Sequence, residues 1–225
     1  MINYFIGCDP SFSGFGLSII DEKKKEITFK ELSVDVGIGA FAEIAKASHI
    51  MSAKVIKELK DIWYDPKLIG MEIPPVTGMY AVKLWALDTD IYRGLESNGN
   101  NDIYLFNVTY LKFINKEYKS KKDTKDQILN IINVFKDNGW TINQTLLNKK
   151  NKPRTLTSNE CDSFLYAIIG WLYEVFLEVV IYKHNSLIRR KLGNVNMELQ
   201  ENKAKNLAIA APKISGILIK PGETF

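Results

Sequence analysis

The sequence predicts one α/β domain with a mixed sheet. Three short apolar runs near the start are separated by tight turns, as in a strand meander. Strand-length apolar runs then alternate with segments of helical periodicity, as crossover connections require. The composition, 46% hydrophobic and 25% charged over 225 residues, supplies ample core and excludes a disordered, collagen-like or disulfide-scaffold chain.

Residues 3–8 (NYFIGC) form a buried-type run that stops at Asp9-Pro10. The glycine turn SFSGFG leads to strands over 16–20 and 27–34, joined by the charged turn DEKKKE. Across 40–64, Phe41, Ile44, Ala45, Met51, Val55, Ile56, Leu59 and Trp63 recur at helical spacing, closed by Asp65-Pro66. LIGMEI at 68–73 is a buried-type strand stopped by Pro74-Pro75. Residues 79–95 are helical through Ala81, Leu84, Trp85, Leu87, Ile91 and Leu95, and 102–108 is a strand. A helix over 124–137 ends at Asn138-Gly139. A polar basic loop at 148–158 precedes a long helical pattern over about 158–192. The expected division is a domain over 1–175 and a C-terminal helix extension with a short tail over 176–225, of unassigned role.

The formal net charge of +4 conceals a division. Residues 112–154 carry a net +7 and 179–225 a net +5, while the remainder carries −8. Basic segments suit phosphates, and an acidic body suits metal ions. Solvated lysine-rich loops are the plainer reading of the same counts. Two cysteines (Cys8, Cys161) and two distant histidines (His49, His184) supply neither a disulfide framework nor a zinc site. Each cysteine precedes a candidate ligand and reads as a small core residue. No signal peptide is read at the N-terminus. The most apolar window, 164–182, contains Glu174 and Glu178 and reads as a covered helix, not a membrane span. The expected location is the cytoplasm of a bacterial or phage-infected cell, which the lysine- and asparagine-rich composition suits.

Three carboxylates stand at element ends. Asp9 closes the first strand, Glu72 lies near the end of the fourth, and Asp162 lies in the first turns of the last helix. Open α/β sheets build sites at the carboxyl ends of parallel strands. If strands one and four are adjacent and parallel, these groups form an acidic cluster. Hard oxygen donors of this kind suit Mg²⁺ or Mn²⁺. Two such ions could serve phosphodiester cleavage. Each carboxylate also has a plain structural reading: Asp9 as a turn residue before proline, Asp162 as a complement to the helix dipole. Glu72 is harder to dismiss, because a carboxylate in an apolar strand is costly without a partner.

In this order the residues resemble the RuvC-type Holliday-junction resolvases, a branch of the RNase H-like nucleases. Cys8-Asp9-Pro10-Ser11 and Ser13-Gly14-Phe15-Gly16 are similar to the family's Ile-Asp-Pro-Gly start and its glycine turn. GMEIPP carries Glu72 at the place of the second carboxylate, and AVKLWALDTDIYRG is similar to the helix that follows it. Lys125-Asp126-Gln127-Ile128 resembles a Lys-x-Gln-Val element whose lysine belongs to the active site. NECDSFLYAII resembles the closing Asp-x-x-Asp motif, with Asp162 as its last aspartate. The resemblance spans about residues 3–175. It implies an RNase H-like mixed five-stranded sheet flanked by helices. It further implies two Mg²⁺ (or Mn²⁺) ions on acidic ligands and a homodimer that cuts four-way or other branched DNA by paired nicks. Hydrolysis would leave 5′-phosphate and 3′-hydroxyl ends.

The chain departs from that pattern in two places. Asn159 stands where the first aspartate of the closing motif would be, and Glu160 follows it. Asn159 shares a helix face with Asp162, whereas Glu160 is rotated by about 200°. Either could be the fourth ligand, Asn159 through its carbonyl oxygen. Thr157-Ser158-Asn159-Glu160 is equally a capping box, with Glu160 bound to backbone N–H. Pro75 stands where bacterial members place an aromatic wedge, leaving Val76, Met79 or Tyr80 for that work.

The expected catalytic set is thus Asp9, Glu72, Asp162, Glu160 and Lys125, with Asn159 added among the metal ligands. Lys112, Lys116, Lys119, Lys121 and Lys122, interleaved with aromatic residues, and Lys149, Lys150, Lys152 and Arg154 suit DNA phosphates. Tyr80 joins them as a DNA contact. Rival readings are an RNase H-like nuclease of flap, fork or duplex DNA, and a non-catalytic DNA-binding or structural protein with the same fold. A third, the sugar-kinase and actin ATPases, shares the opening turn but needs a second lobe for which 225 residues leave no room.

Overall fold

In the computed structural model, the residues described are 2–36, 41–65, 67–74, 81–97, 101–106, 121–143 and 155–172. Strands β1 (Tyr4–Asp9), β2 (Phe15–Asp21) and β3 (Glu26–Leu32) form the expected antiparallel meander. Asp21 helps close the β2–β3 turn by accepting the Lys24 backbone N–H at 2.9 Å. Helix α1 (Phe41–Glu58) and a 3-10 turn (Lys60–Ile62) lead to β4 (Lys67–Glu72), parallel to β1. Helix α2 (Ala81–Glu96) leads to β5 (Asn101–Phe106), parallel to β4. Helix α3 (Lys121–Asp137) precedes a short strand β6 (Thr141–Asn143), and helix α4 is described over 158–172.

The sheet order is β5-β4-β1-β2-β3-β6. A three-strand meander extended by two strands parallel to β1 is the mixed α/β sheet that the sequence leads one to expect. Among the described residues the sheet has six strands, not five. β6 pairs in parallel with β3, and Thr141 N–H donates to the Lys25 carbonyl at 2.8 Å. Three residues with one apolar side chain carry no period-2 pattern; long-range pairing alone makes this strand. The last helix, expected to run to about 192, and the tail 176–225 lie outside the described residues beyond 172. Among the described residues no helix is long and apolar enough to cross a membrane.

Alternation along the strands sends side chains to two different layers. Ile6, Cys8, Phe15, Leu17, Ile69 and Met71 pack with Met51, Val55 and Leu59 of the α1 segment and Leu87, Ile91 and Leu95 of α2. The opposite face receives α4. There Phe164 meets Phe29 and Phe135 edge-on at 5.1 and 6.0 Å between ring centroids, and Tyr166 stacks on Phe106. Helix α4 lies against the sheet backbone because glycines clear its path. A Cβ on Gly7 would stand 1.7 Å from the Ser163 carbonyl oxygen, and one on Gly16 would stand 2.0 Å from that of Asn159. Ser18 on β2 meets the Ser163 hydroxyl at 2.6 Å, and both lie on the Glu160 carbonyl, which fixes the helix along its axis.

Candidate functional site

The register brings the first two carboxylates together. β1 and β4 are hydrogen-bonded in parallel through Cys8 and Met71, so Asp9 and Glu72 are the next residues at the same end. Both lie on the face that receives α4, in line with Gly7 and Gly70. Asp162 comes from the first turns of α4, four residues before Tyr166 and therefore on one helix face with it. The fully buried Tyr166 hydroxyl is the point these groups share. Its pKa is pushed well above the ordinary tyrosine value by burial first, then by the negative fields of Glu72, Asp9 and Asp162. Glu72 is close enough to act on the hydroxyl directly, without hydrogen-bonding geometry to it.

The two alternatives for a fourth ligand have different partners. Glu160 is fully buried. Its Oε2 accepts the Thr157 N–H at 2.8 Å, and its own N–H donates to Thr157 Oγ1 at 3.2 Å. The capping box is therefore formed, with Oε2 of Glu160 at the helix start. Asn159 turns its side-chain amide toward Glu31 of β3, Nδ2 to Oε1 at 3.4 Å.

Lys125 reaches the rim of the site from α3, donating to Thr155 Oγ1 at 3.0 Å. It also acts on Cys161, whose thiol burial raises to about 12, with Asp162 and Glu160 adding and Lys125 opposing. The Cys8 thiol is held far up by burial, reinforced by Asp88 and Asp9. Both cysteines are buried, as core residues should be.

Of the expected DNA contacts, Tyr80, Lys112, Lys116, Lys119, Lys149, Lys150, Lys152 and Arg154 lie outside the described residues. For Lys121 and Lys122 only the backbone, at the start of α3, is described.

Three site neighbours are not picked out by the sequence patterns above. Tyr166 is signalled by its i+4 spacing from Asp162. Glu31 lies in register with Gly16, which in turn pairs with Asp9, so it occupies the same face two strands over. Asp88 interrupts the apolar stripe of α2 formed by Leu84, Leu87, Ile91 and Leu95, a place where a carboxylate is out of pattern. It is buried, and its Oδ1 has no hydrogen-bond partner. Burial, then the nearby Glu72, raises its pKa to about 8. Asp88 and Glu72 line one small cavity with Pro10, Pro74 and Leu84.

Among the described residues, no three or more His, Cys, Asp or Glu side chains form a ready metal cage. The donor chemistry nevertheless fits a hard cation. The carboxylates of Asp9, Glu72 and Asp162 bear on one buried point, and Asp88 leaves a buried oxygen unsatisfied beside them.

No protein-family model and no curated protein matches the sequence. Solved structures do resemble it. T. thermophilus RuvC in complex with a Holliday junction substrate aligns over 72% of this chain and 88% of its own, with 12% identity and a TM-score of 0.45. A second Thermus thermophilus RuvC structure aligns over 72% and 89%, with 14% identity and a TM-score of 0.45. The human cytomegalovirus terminase nuclease domain, Mn soaked and inhibitor bound, aligns over 65% and 64%, with 12% identity and a TM-score of 0.36.

Proposed function

We propose that this chain is a divalent-metal-dependent endonuclease that nicks branched DNA, four-way junctions foremost. One observation carries the reading. Asp9 and Glu72 end adjacent parallel strands on the sheet face that α4 covers, and Asp162 stands in the first turns of α4. A protein gathers like charges in this way at a cost, and a bound cation offsets it.

Asp9, Glu72 and Asp162 would hold Mg²⁺ or Mn²⁺, two ions in the fullest form of the proposal. Such ions supply water activation and stabilisation of the leaving oxygen in phosphodiester hydrolysis. The protein's own part is positioning. The adjacent ends of β1 and β4 hold two ligands on one rigid edge, and the glycine-cleared packing of α4 sets the third. Lys125, at the rim, would place an ammonium against the phosphate and stabilise its developing charge. Lys112, Lys116, Lys119, Lys121, Lys122, Lys149, Lys150, Lys152 and Arg154 would follow the DNA backbone, with Tyr80 near the opened strands. A homodimer would present two such sites to a two-fold junction. Glu160 is left out of the proposed ligand set because its Oε2 accepts the Thr157 N–H in the capping box.

The test is nicking of synthetic four-way, forked and linear DNA with and without Mg²⁺. The expected outcome is Mg²⁺-dependent paired nicks in the junction, slowed by about a hundredfold or more in Asp9→Asn. Equal rates for Asp9→Asn and wild type would overturn the reading. Preference for forks or linear duplex would replace junctions as the substrate, and junction binding without cleavage would favour a non-catalytic DNA-binding protein.

A further inference from the structure

The cavity between the β1 and β4 ends and α2 contains Asp88, a carboxylate that no part of the proposed mechanism uses. Its lining is Pro10, Glu72, Pro74, Leu84 and Asp88. The polar side chains in that lining are both carboxylates, and an ionised carboxylate only accepts hydrogen bonds. The two prolines bring no backbone N–H, and leucine brings no side-chain donor. Asp88 is 5% exposed, and its Oδ1 is buried with no partner. A space whose polar lining is two carboxyl groups, one with a buried oxygen unsatisfied, fits a positively charged occupant. Its volume of about 40 Å³ is room for an ion with a water or two.

We propose that Asp88 and Glu72 together bind a divalent, oxygen-preferring cation in this cavity, making Asp88 a further metal ligand of the site. The proposal deepens the nuclease reading and rests on it. Glu72 stands at the lip of the sheet, where it acts on Tyr166 on one side and Asp88 on the other. It is the only carboxylate among the described residues that both lines this cavity and acts on Tyr166. A cation between Glu72 and Asp88 would therefore be held from β4 and α2, leaving Asp9 of β1 and Asp162 of α4 as the rest of the acidic set. Asp88 is anchored on a helix whose Leu87, Ile91 and Leu95 are in the core, so the position of its carboxyl is set by packing.

The experiment uses the full chain and Mn²⁺ as the probe. Mn²⁺ is titrated calorimetrically into metal-free wild type, Asp88→Asn, Asp162→Asn and Asp9→Asn, and melting is recorded with Mn²⁺ and with chelator. Asp88→Asn is expected to weaken one Mn²⁺ binding step about tenfold or more, or to remove it, and to lose the matching Mn²⁺-induced rise in Tm. Asp162→Asn is expected to keep that step. Should Asp88→Asn melt early in chelator, Asp88→Ser takes its place. Wild-type Mn²⁺ stoichiometry and affinity in a folded Asp88 variant would overturn the proposal. The two readings fail separately. Mg²⁺-dependent nicking with an Asp88-independent Mn²⁺ titration sinks this inference alone. An Asp88-dependent titration with Asp9→Asn nicking at the wild-type rate sinks the nuclease reading alone.

Discussion

Asp162 and Glu160 are two residues apart on α4, yet the structure gives them separate work. Glu160 closes the capping box with Thr157, and Asp162 acts on the Tyr166 hydroxyl. Glu160→Ala is expected to lower stability by about 1 kcal/mol while the folded protein keeps its nicking rate. Asp162→Asn is expected to do the reverse: an unchanged melt and a rate lower by about two decades. Paired thermal melts and junction-nicking assays check both. Lys67 gives a residue-scale prediction away from the site. Its buried ammonium donates to the Trp63 and Asp65 carbonyls, each at 2.7 Å, and stands over the Trp63 ring. Lys67→Met leaves those carbonyls without this donor and is expected to cost about 1–3 kcal/mol. Burial lowers the pKa of Lys67. The unfolded chain therefore binds the proton more tightly, and the Lys67 contribution rises as pH climbs through the folded pKa toward 10.5. The stability gap between wild type and Lys67→Met should widen across that window in pH-resolved denaturant titrations, as the wild type gains.

At the scale of elements, the site depends on how closely α4 approaches the sheet. Gly7 and Gly16 are where that approach is tightest, and the opposing atoms are backbone, which a side-chain rotation does not clear. Gly7→Ala is expected to cost about 3 kcal/mol or more and to lower Mn²⁺ affinity together with nicking, because it displaces the helix that carries Asp162. Ser18→Ala removes the hydroxyl that meets Ser163 and is expected to cost about 1–2 kcal/mol. The two helical layers thereby divide the acidic set. Helix α4 brings Asp162 to one face, and α2 brings Asp88 to the cavity it lines with Glu72.

For the whole molecule, the small net charge is a sum of unlike parts. An acidic body holds the proposed ligands, and the basic stretch 112–154 would bind the DNA backbone. Replacing Lys149, Lys150, Lys152 and Arg154 with Gln should reduce the slope of log K against log salt by about one for each phosphate no longer neutralised. Junction binding measured between low and moderate salt checks this. An unchanged slope would remove those residues from the interface.

By itself the sequence determined the five main strands, the four helices, and the positions of Asp9, Glu72 and Asp162 at element ends. These are written in local periodicity, turn residues and caps, which act over a few residues and so are legible without a fold. The capping box at Thr157–Glu160 was legible too, as one of two readings, and the hydrogen bonds show it formed. Only the tertiary structure showed the strand β6, the turn of Asn159 toward Glu31, and the gathering of carboxylates around Tyr166. It alone gave Asp88 a neighbour in Glu72. Each of these joins residues far apart in the chain, and no local pattern encodes which distant group will satisfy, or leave unsatisfied, a buried polar atom.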